Sequence, residues 1–257
     1  MSARFVLAQI SDMHIRAEPR EDGFDPLHRL EQTLRAIKRF GADAIIATGD
    51  LVNDEKPEEY AKLAAALRDA PAPVFVCPGN HDTRELIRSS FSDHAYIPAD
   101  GPISYAIEDY PLRIVSLDQI CPGETGGTFT DEHGVWLDRV LSQVLSKPTL
   151  VALHHPPIPT FDQLLDRIGL AHAERFAAVI GRHPQVKRVV CGHHHRVVLG
   201  QIAHAPLFVC PSTAWTFGLA LKPDQPLAKR GRETDGWALH VWDEAGGLVT
   251  HVMGFDD

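Results

Sequence analysis

The feature that most narrows the fold of this chain is where its apolar runs stop. Five short runs end directly in aspartate, histidine or asparagine: residues 5–10 in Ser11-Asp12-Met13-His14, 44–48 in Gly49-Asp50, 73–77 in Pro78-Gly79-Asn80-His81-Asp82, 149–153 in His154-His155-Pro156-Pro157, and 186–191 in Gly192-His193-His194-His195. Near-continuous apolar runs of this length mark strands covered on both faces. In α/β sheets, the loops past the carboxyl ends of such strands are where ligands bind. Five segments scattered through the chain are therefore expected to meet at one site.

Amphipathic helical stretches separate the runs, which is an α/β pattern. Asp25-Pro26 supplies a helix cap and a proline in the first turn, after which Leu27, Leu30, Leu34 and Ile37 recur at helical spacing until Gly41. A second helix starts at Pro57-Glu58-Glu59 and carries Leu63, Ala66 and Leu67. Residues 103–107 and 112–117 read as an antiparallel pair turned at 108–111, so the sheets are mixed. Thr130 caps a helix over 131–145, and another runs over 172–182. From Val197 onward the tail reads as short β segments. A chain of 257 residues supports one large core. The expectation is a single domain over 1–257, with 211–257 as its β-rich completion and 215–235 as a candidate pocket or dimer loop.

Composition bounds the partners. No apolar stretch is long enough to cross a bilayer. The first strand begins at Phe5, leaving no room for a secretion signal, so the expected location is the cytoplasm. Cys77, Cys121, Cys191 and Cys210 are widely separated and read as reduced, mostly structural thiols. A net charge of −9 argues against a nucleic-acid polymer as partner. It also sets a puzzle for any anionic small molecule, which bound divalent cations resolve by reversing the local field.

Carboxylate oxygen, imidazole nitrogen and one amide oxygen suit Mn, Fe or Zn. Asp12, His14, Asp50, Asn80, His154, His193 and His195 are too many for one four-coordinate centre. Two ions are implied, and a bridging Asp50 would leave each with open positions. Such a pair, about 3.5–4 Å apart, holds a hydroxide and clamps an in-line displacement at phosphorus.

Taken in order, Asp-x-His, Gly-Asp, Gly-Asn-His-Asp, His-His-Pro-Pro and Gly-His-x-His resemble the signature of the calcineurin-like metallophosphoesterase superfamily. Within it, the chain resembles class III cyclic-nucleotide phosphodiesterases and bacterial glycerophosphodiesterases. Each block alone is weak, and the ordered set from Asp12 to His195 carries the resemblance.

The resemblance implies a four-layer α/β/β/α sandwich of two mixed β-sheets flanked by helices. It places Asp12, His14 and His195 on one ion, Asn80, His154 and His193 on the other, and Asp50 between them. His154 is preferred to His155 because the family's ligand stands two positions before the first proline. His81 would face the substrate phosphate as a catalytic group, with Asn80 and His194 as further substrate contacts, although packing is the commoner role for His155 and His194. Asp82 is either an orienting carboxylate or an ordinary turn residue. For Trp215 and Phe217 simple burial competes with a pocket wall, and Lys229-Arg230-Arg232 reads as a solvated loop.

The implied activity is hydrolysis of small phosphodiesters, cyclic nucleotides or glycerophosphodiesters, by metal-bound hydroxide. Phosphomonoesterase or protein phosphatase activity at the same centre is the alternative, with a non-catalytic metal-binding scaffold behind it. The expected assembly is a homodimer or higher homo-oligomer.

Overall fold

The computed structural model describes residues 4–222 and 235–255. Most of the 215–235 segment, including Lys229, Arg230 and Arg232, lies outside the described residues. In chain order the strands are β1 (Phe5–Ile10), β2 (Ala44–Thr48), β3 (Val74–Cys77), β4 (Tyr105–Ile107), β5 (Arg113–Ser116), β6 (Gly127–Thr128), β7 (Thr149–Ala152), β8 (Leu170–Ala171), β9 (Val186–Cys191), β10 (Val198–Ile202), β11 (Ala205–Val209), β12 (Trp237–Asp243) and β13 (Gly247–Met253). The helices are α1 (Pro26–Phe40), α2 (Pro57–Arg68), α3 (Arg84–Ser90), α4 (Asp131–Gln143) and α5 (Ala173–Gly181).

Two sheets carry the fold. One has the order β13-β12-β1-β2-β3, the other β10-β11-β9-β7-β5-β4, and both are mixed. The alternation of side chains along each strand of the second sheet explains the layering. Ile114, Leu150, Ala152, Val190 and Phe208 share a core with the first sheet, α1 and α2. Their neighbours Val115, Val151, Val189, Leu207 and Val209 pack instead on Leu137, Leu141, Phe176 and Ile180 of α4 and α5. The sheets therefore face each other, with helices outside both, as the resemblance implied.

Local chemistry sets the helix ends. The Asp25 carboxylate accepts from Leu27 N at 2.9 Å, and Gly41 closes α1 in the left-handed region with φ 62°. Thr130 accepts from His133 N to start α4, which stops at Gln143, two residues before the expected end. Helix α3 was not anticipated. Its seven residues bury only Ile87, so the sequence carries no apolar stripe there. The four cysteines are free, and burial pushes the thiols of Cys77, Cys191 and Cys210 up, in keeping with a structural role. Among the described residues no helix is long and apolar enough to cross a membrane.

One polar thread crosses the seam between the sheets. Gln9 Nε2 on β1 donates to Thr48 Oγ1 on β2 at 2.9 Å and to Cys191 O on β9 at 3.0 Å. Gln9 Oε1 lies 2.9 Å from His240 Nε2 on β12, so that nitrogen carries the proton. His240 Nδ1 then accepts from Thr250 Oγ1 at 2.8 Å. Burial, reinforced by the Arg188 charge, pushes the His240 imidazole down to about 3. The unfolded chain, with an ordinary histidine near 6.5, binds more protons than the folded one below that pH. This contribution to stability is complete above about pH 6.5 and is lost as pH falls towards 3. His240→Gln is thus expected to flatten the acid limb of stability by about one proton, roughly 1.4 kcal/mol per pH unit. Denaturant midpoints at pH 7.5 and pH 5 measure it, and parallel losses in both proteins would refute it.

Candidate metal centre

The strand-end residues meet through a backbone held in a conformation that side chains rarely adopt. Asp12, His14, Asp50, His193 and His195 have φ of 50°, 45°, 49°, 69° and 54°. Each such residue costs about 1–3 kcal/mol and persists only where its surroundings over-determine it. They do so here. Asp12 N donates to Gly49 O and His14 N to Asp50 O, both at 3.0 Å, stitching the first loop to the second. His193 N donates to both Asp12 carboxylate oxygens at 3.0 and 3.1 Å, tying the second sheet to the first.

Two groups result. In the first, Asp12, His14, Asp50 and His195 offer ligand atoms all within 4.8 Å of one another. The Nε2 atoms of His14 and His195 are 3.0 Å apart, and His195 Nε2 is 3.4 Å from Asp12 Oδ1. The second gathers around His154, whose Nε2 is 3.2 Å from Asn80 Oδ1, with the buried His193 beside it. Asp50 stands between the groups. Its Oδ2 is 3.6 Å from His14 Nε2, and its Oδ1 is 3.3 Å from His154 Nε2.

Main-chain carbonyls fix which imidazole nitrogen is free. His195 Nδ1 donates to Trp215 O and His154 Nδ1 to Thr48 O, both at 2.8 Å, so each ring turns the Nε2 lone pair towards the centre. His155 differs. Its Nδ1 lies 2.9 Å from the Gln119 amide and its Nε2 3.0 Å from Thr125 O, so both nitrogens are already engaged. This supports His154 over His155 as a ligand, even though His155 also lies within the second cluster.

The electrostatics ask for cations. Burial pushes the imidazoles of His14 and His193 far down and that of His195 to about 3, which keeps them neutral, the form that binds metal. Burial, helped by nearby Asp50 and opposed by His154, pushes the Asp12 carboxyl up to about 7. Burial also works against the Asp50 carboxylate, but the charge and hydrogen bond of His154 lead the effects that outweigh it and hold Asp50 well below the usual range. Among the described residues His193 Nε2 is buried without a hydrogen-bond partner. An orphaned imidazole beside buried carboxylates fits a pair of divalent ions, which would satisfy both.

The remaining expected residues fall around these groups. The His81 ring meets His14 edge-on at 4.8 Å, and its Nδ1 donates to Asn53 O at 2.8 Å, so Nε2 keeps its lone pair. Asp82 accepts from Gly79 N (2.8 Å), Leu51 N (3.1 Å) and Tyr60 Oη (3.0 Å), so it bolts two site loops to α2. His194 lies outside both groups. Its Nδ1 faces Thr160 Oγ1 at 3.3 Å, and with Pro156, Ile158, Asp166 and Leu170 it lines a small cavity of about 210 Å³. Trp215 is buried and stacks on His14, a contact with no signal in the sequence. Close approach of the loops requires glycine at motif positions. A Cβ on Gly79 would overlap Asp50, and one on Gly192 would overlap Ser11 Oγ and come within 2.7 Å of Asp12 Oδ2.

Two facing mixed sheets with a carboxylate–imidazole cluster at their strand ends define a metallophosphoesterase. The chain belongs to the calcineurin-like phosphoesterase family, whose profile matches residues 5–197. That family uses a dimetal centre, and this chain has two groups of residues able to hold ions. It is 32% identical over 217 residues to the glycerophosphodiester phosphodiesterase GpdQ of Enterobacter lignolyticus, covering 81% of this chain and 77% of that one. It is 31% identical over 254 residues to the 3',5'-cyclic adenosine monophosphate phosphodiesterase CpdA of Escherichia coli, covering 97% and 90%. Among solved structures, a dimetal phosphatase from Danio rerio superposes with a TM-score of 0.67 at 15% identity over 98% of this chain and 99% of that one, a likeness of fold.

Gly192→Ala should cost about 1–3 kcal/mol by overpacking and lower the metal content of the purified protein. A variant with wild-type melting temperature and metal content would show that the loops do not need this approach.

Proposed function

We propose that the chain hydrolyses small phosphodiesters with two divalent ions, one held by Asp12, His14 and His195, the other by Asn80, His154 and His193, and both by Asp50. The observation that carries this reading is the placement of Asp50, whose two carboxylate oxygens face imidazoles of different groups. The activities of those two relatives, a glycerophosphodiester phosphodiesterase and a cyclic adenosine monophosphate phosphodiesterase, support a diester substrate for this chain as well. The strands of the first sheet come from both ends of the chain, which supports reading it as one domain.

When bound, two such ions activate water at neutral pH and neutralise phosphoryl oxygens. The protein's own residues do the rest. Asp50 accepts from His81 N at 3.0 Å, so the residue that spans the groups also fixes the loop carrying the catalytic imidazole. With Nδ1 anchored on Asn53 O, His81 presents Nε2 to hydrogen-bond the phosphoryl group or to protonate the departing alkoxide. Asn80, half-buried, brings an amide from the neighbouring position.

Chelator-treated protein should lose bis(p-nitrophenyl) phosphate hydrolysis and regain it with Mn, and hydrolysis of the diester should exceed that of p-nitrophenyl phosphate. Activity that survives metal removal, or a preference for the monoester, would sink the reading. Asn80→Ala and His81→Ala should separate the roles. The first lowers metal affinity by about 10–100-fold. The second keeps the wild-type metal content and lowers kcat by about 10²–10⁴-fold. Equal metal loss in both variants, read by elemental analysis, would contradict the assignment.

A further inference from the structure

The two groups of ligands are not supported in the same way. His154 and His195 each have a carbonyl that accepts from Nδ1 and sets the ring. His14 has none. Its Nδ1 is buried without a hydrogen-bond partner among the described residues, so hydrogen bonding on that side does not fix its ring. Ring contacts hold it instead. Trp215, 3% exposed, stacks on it at a centroid distance of 4.4 Å and an interplanar angle of 28°. The same residue's carbonyl is the one that orients His195. The Arg20 guanidinium lies 5.3 Å from the Trp215 ring centroid.

The segment around Trp215 also grips the third residue of this group. Ser212 Oγ donates to Asp12 O at 2.7 Å and accepts from Ala214 N and Trp215 N at 2.9 and 3.2 Å. Thr213 N donates to Ser11 O at 3.1 Å. Asp12, His14 and His195 thus all lean on residues 212–215, which lie beyond the stretch 5–197 matched by the family profile. His154 leans on Thr48 of β2, within it.

We infer that Trp215 is a positioning residue for one ion only, the ion held by Asp12, His14 and His195: its ring sets the His14 imidazole and its carbonyl sets that of His195. This rests on the dimetal reading above. A metal-binding imidazole that loses its outer support loses affinity by about 10–100-fold. Replacing the ring should therefore weaken one binding step and leave the other.

The test is a titration of chelator-stripped full-length wild type, Trp215→Phe and Trp215→Leu with Mn by calorimetry, with anomalous scattering to locate the ions. The wild type should take up two ions. Trp215→Leu should weaken one step by about 10–100-fold, with the anomalous peak lost beside Asp12 and His195 and kept beside His154 and His193. Trp215→Phe, which keeps an aromatic face against His14, should stay within about threefold of wild type. Should Trp215→Leu not fold, Ser212→Ala should give the same site-selective loss, because it frees both Asp12 and the Trp215 backbone. Wild-type binding in the variants that fold, or both steps weakened alike, overturns this inference while leaving the dimetal reading standing. A wild type that takes up no ion overturns both.

Discussion

Two carboxylates buried side by side impose the constraint from which the rest follows. Asp12 and Asp50 are 0% and 2% exposed, and the Asp50 charge adds to the cost that burial sets on ionising Asp12. Withdrawing a charge from water costs several kcal/mol even after relaxation, and the neighbouring imidazoles offset that cost at Asp50 but not at Asp12. Only His154 is pushed the other way, to about 9, because Asp50 overcomes the effect of its burial. Divalent cations relieve this debt at its source. The strained backbone at Asp12, His14, Asp50, His193 and His195 is then a by-product of aiming buried anions and lone pairs at common points, held by the hydrogen bonds between the loops.

The polar thread across the sheet seam serves the same end. Read by its donors, it runs in one direction: Arg188 to Thr250, Thr250 to His240, His240 to Gln9, Gln9 to Thr48, Thr48 to Ser11, and Ser11 to Asp12. The ends set this direction, since the Arg188 guanidinium can only donate and the Asp12 carboxylate accepts. Aligned hydrogen bonds polarise one another in a low-dielectric interior. The thread therefore orients Asp12 and favours its charged form without bringing a second ion into the core.

Much of this was legible in the sequence because chemistry and strand ends coincide in the chain. Apolar runs gave way to Asp12, Asp50, Asn80, His154 and His193 at the point where a strand must leave the core, so position and donor type pointed the same way. The choice between His154 and His155 was not available from residue type. It came from resemblance, and in the structure it rests on Gln119 and Thr125, which occupy both His155 nitrogens. Main-chain carbonyls such as Thr48 O and Trp215 O leave no mark in a sequence, and Trp215 stands 20 residues from His195, with nothing in its neighbourhood to betray the stack. Residue type could not separate an orienting role for Asp82 from that of a turn residue, because two of its three donors, Leu51 and Tyr60, come from distant segments.

The location of the centre ties its chemistry to the stability of the fold. The first group draws Asp12, His14 and Asp50 from loops of one sheet and His195 from the other, and the second draws Asn80 and Asp50 from one and His154 and His193 from the other. Neither set is complete unless the two sheets are packed face to face. Any ion bound by such a set binds the folded chain in preference to the unfolded one, and at 100 times its dissociation constant adds about 2.7 kcal/mol to stability. The ions would then be cross-sheet staples as well as the centre of the chemistry. That dual role accounts for how a fold can keep two buried carboxylates, orphaned imidazoles and five strained residues at the seam of its hydrophobic core.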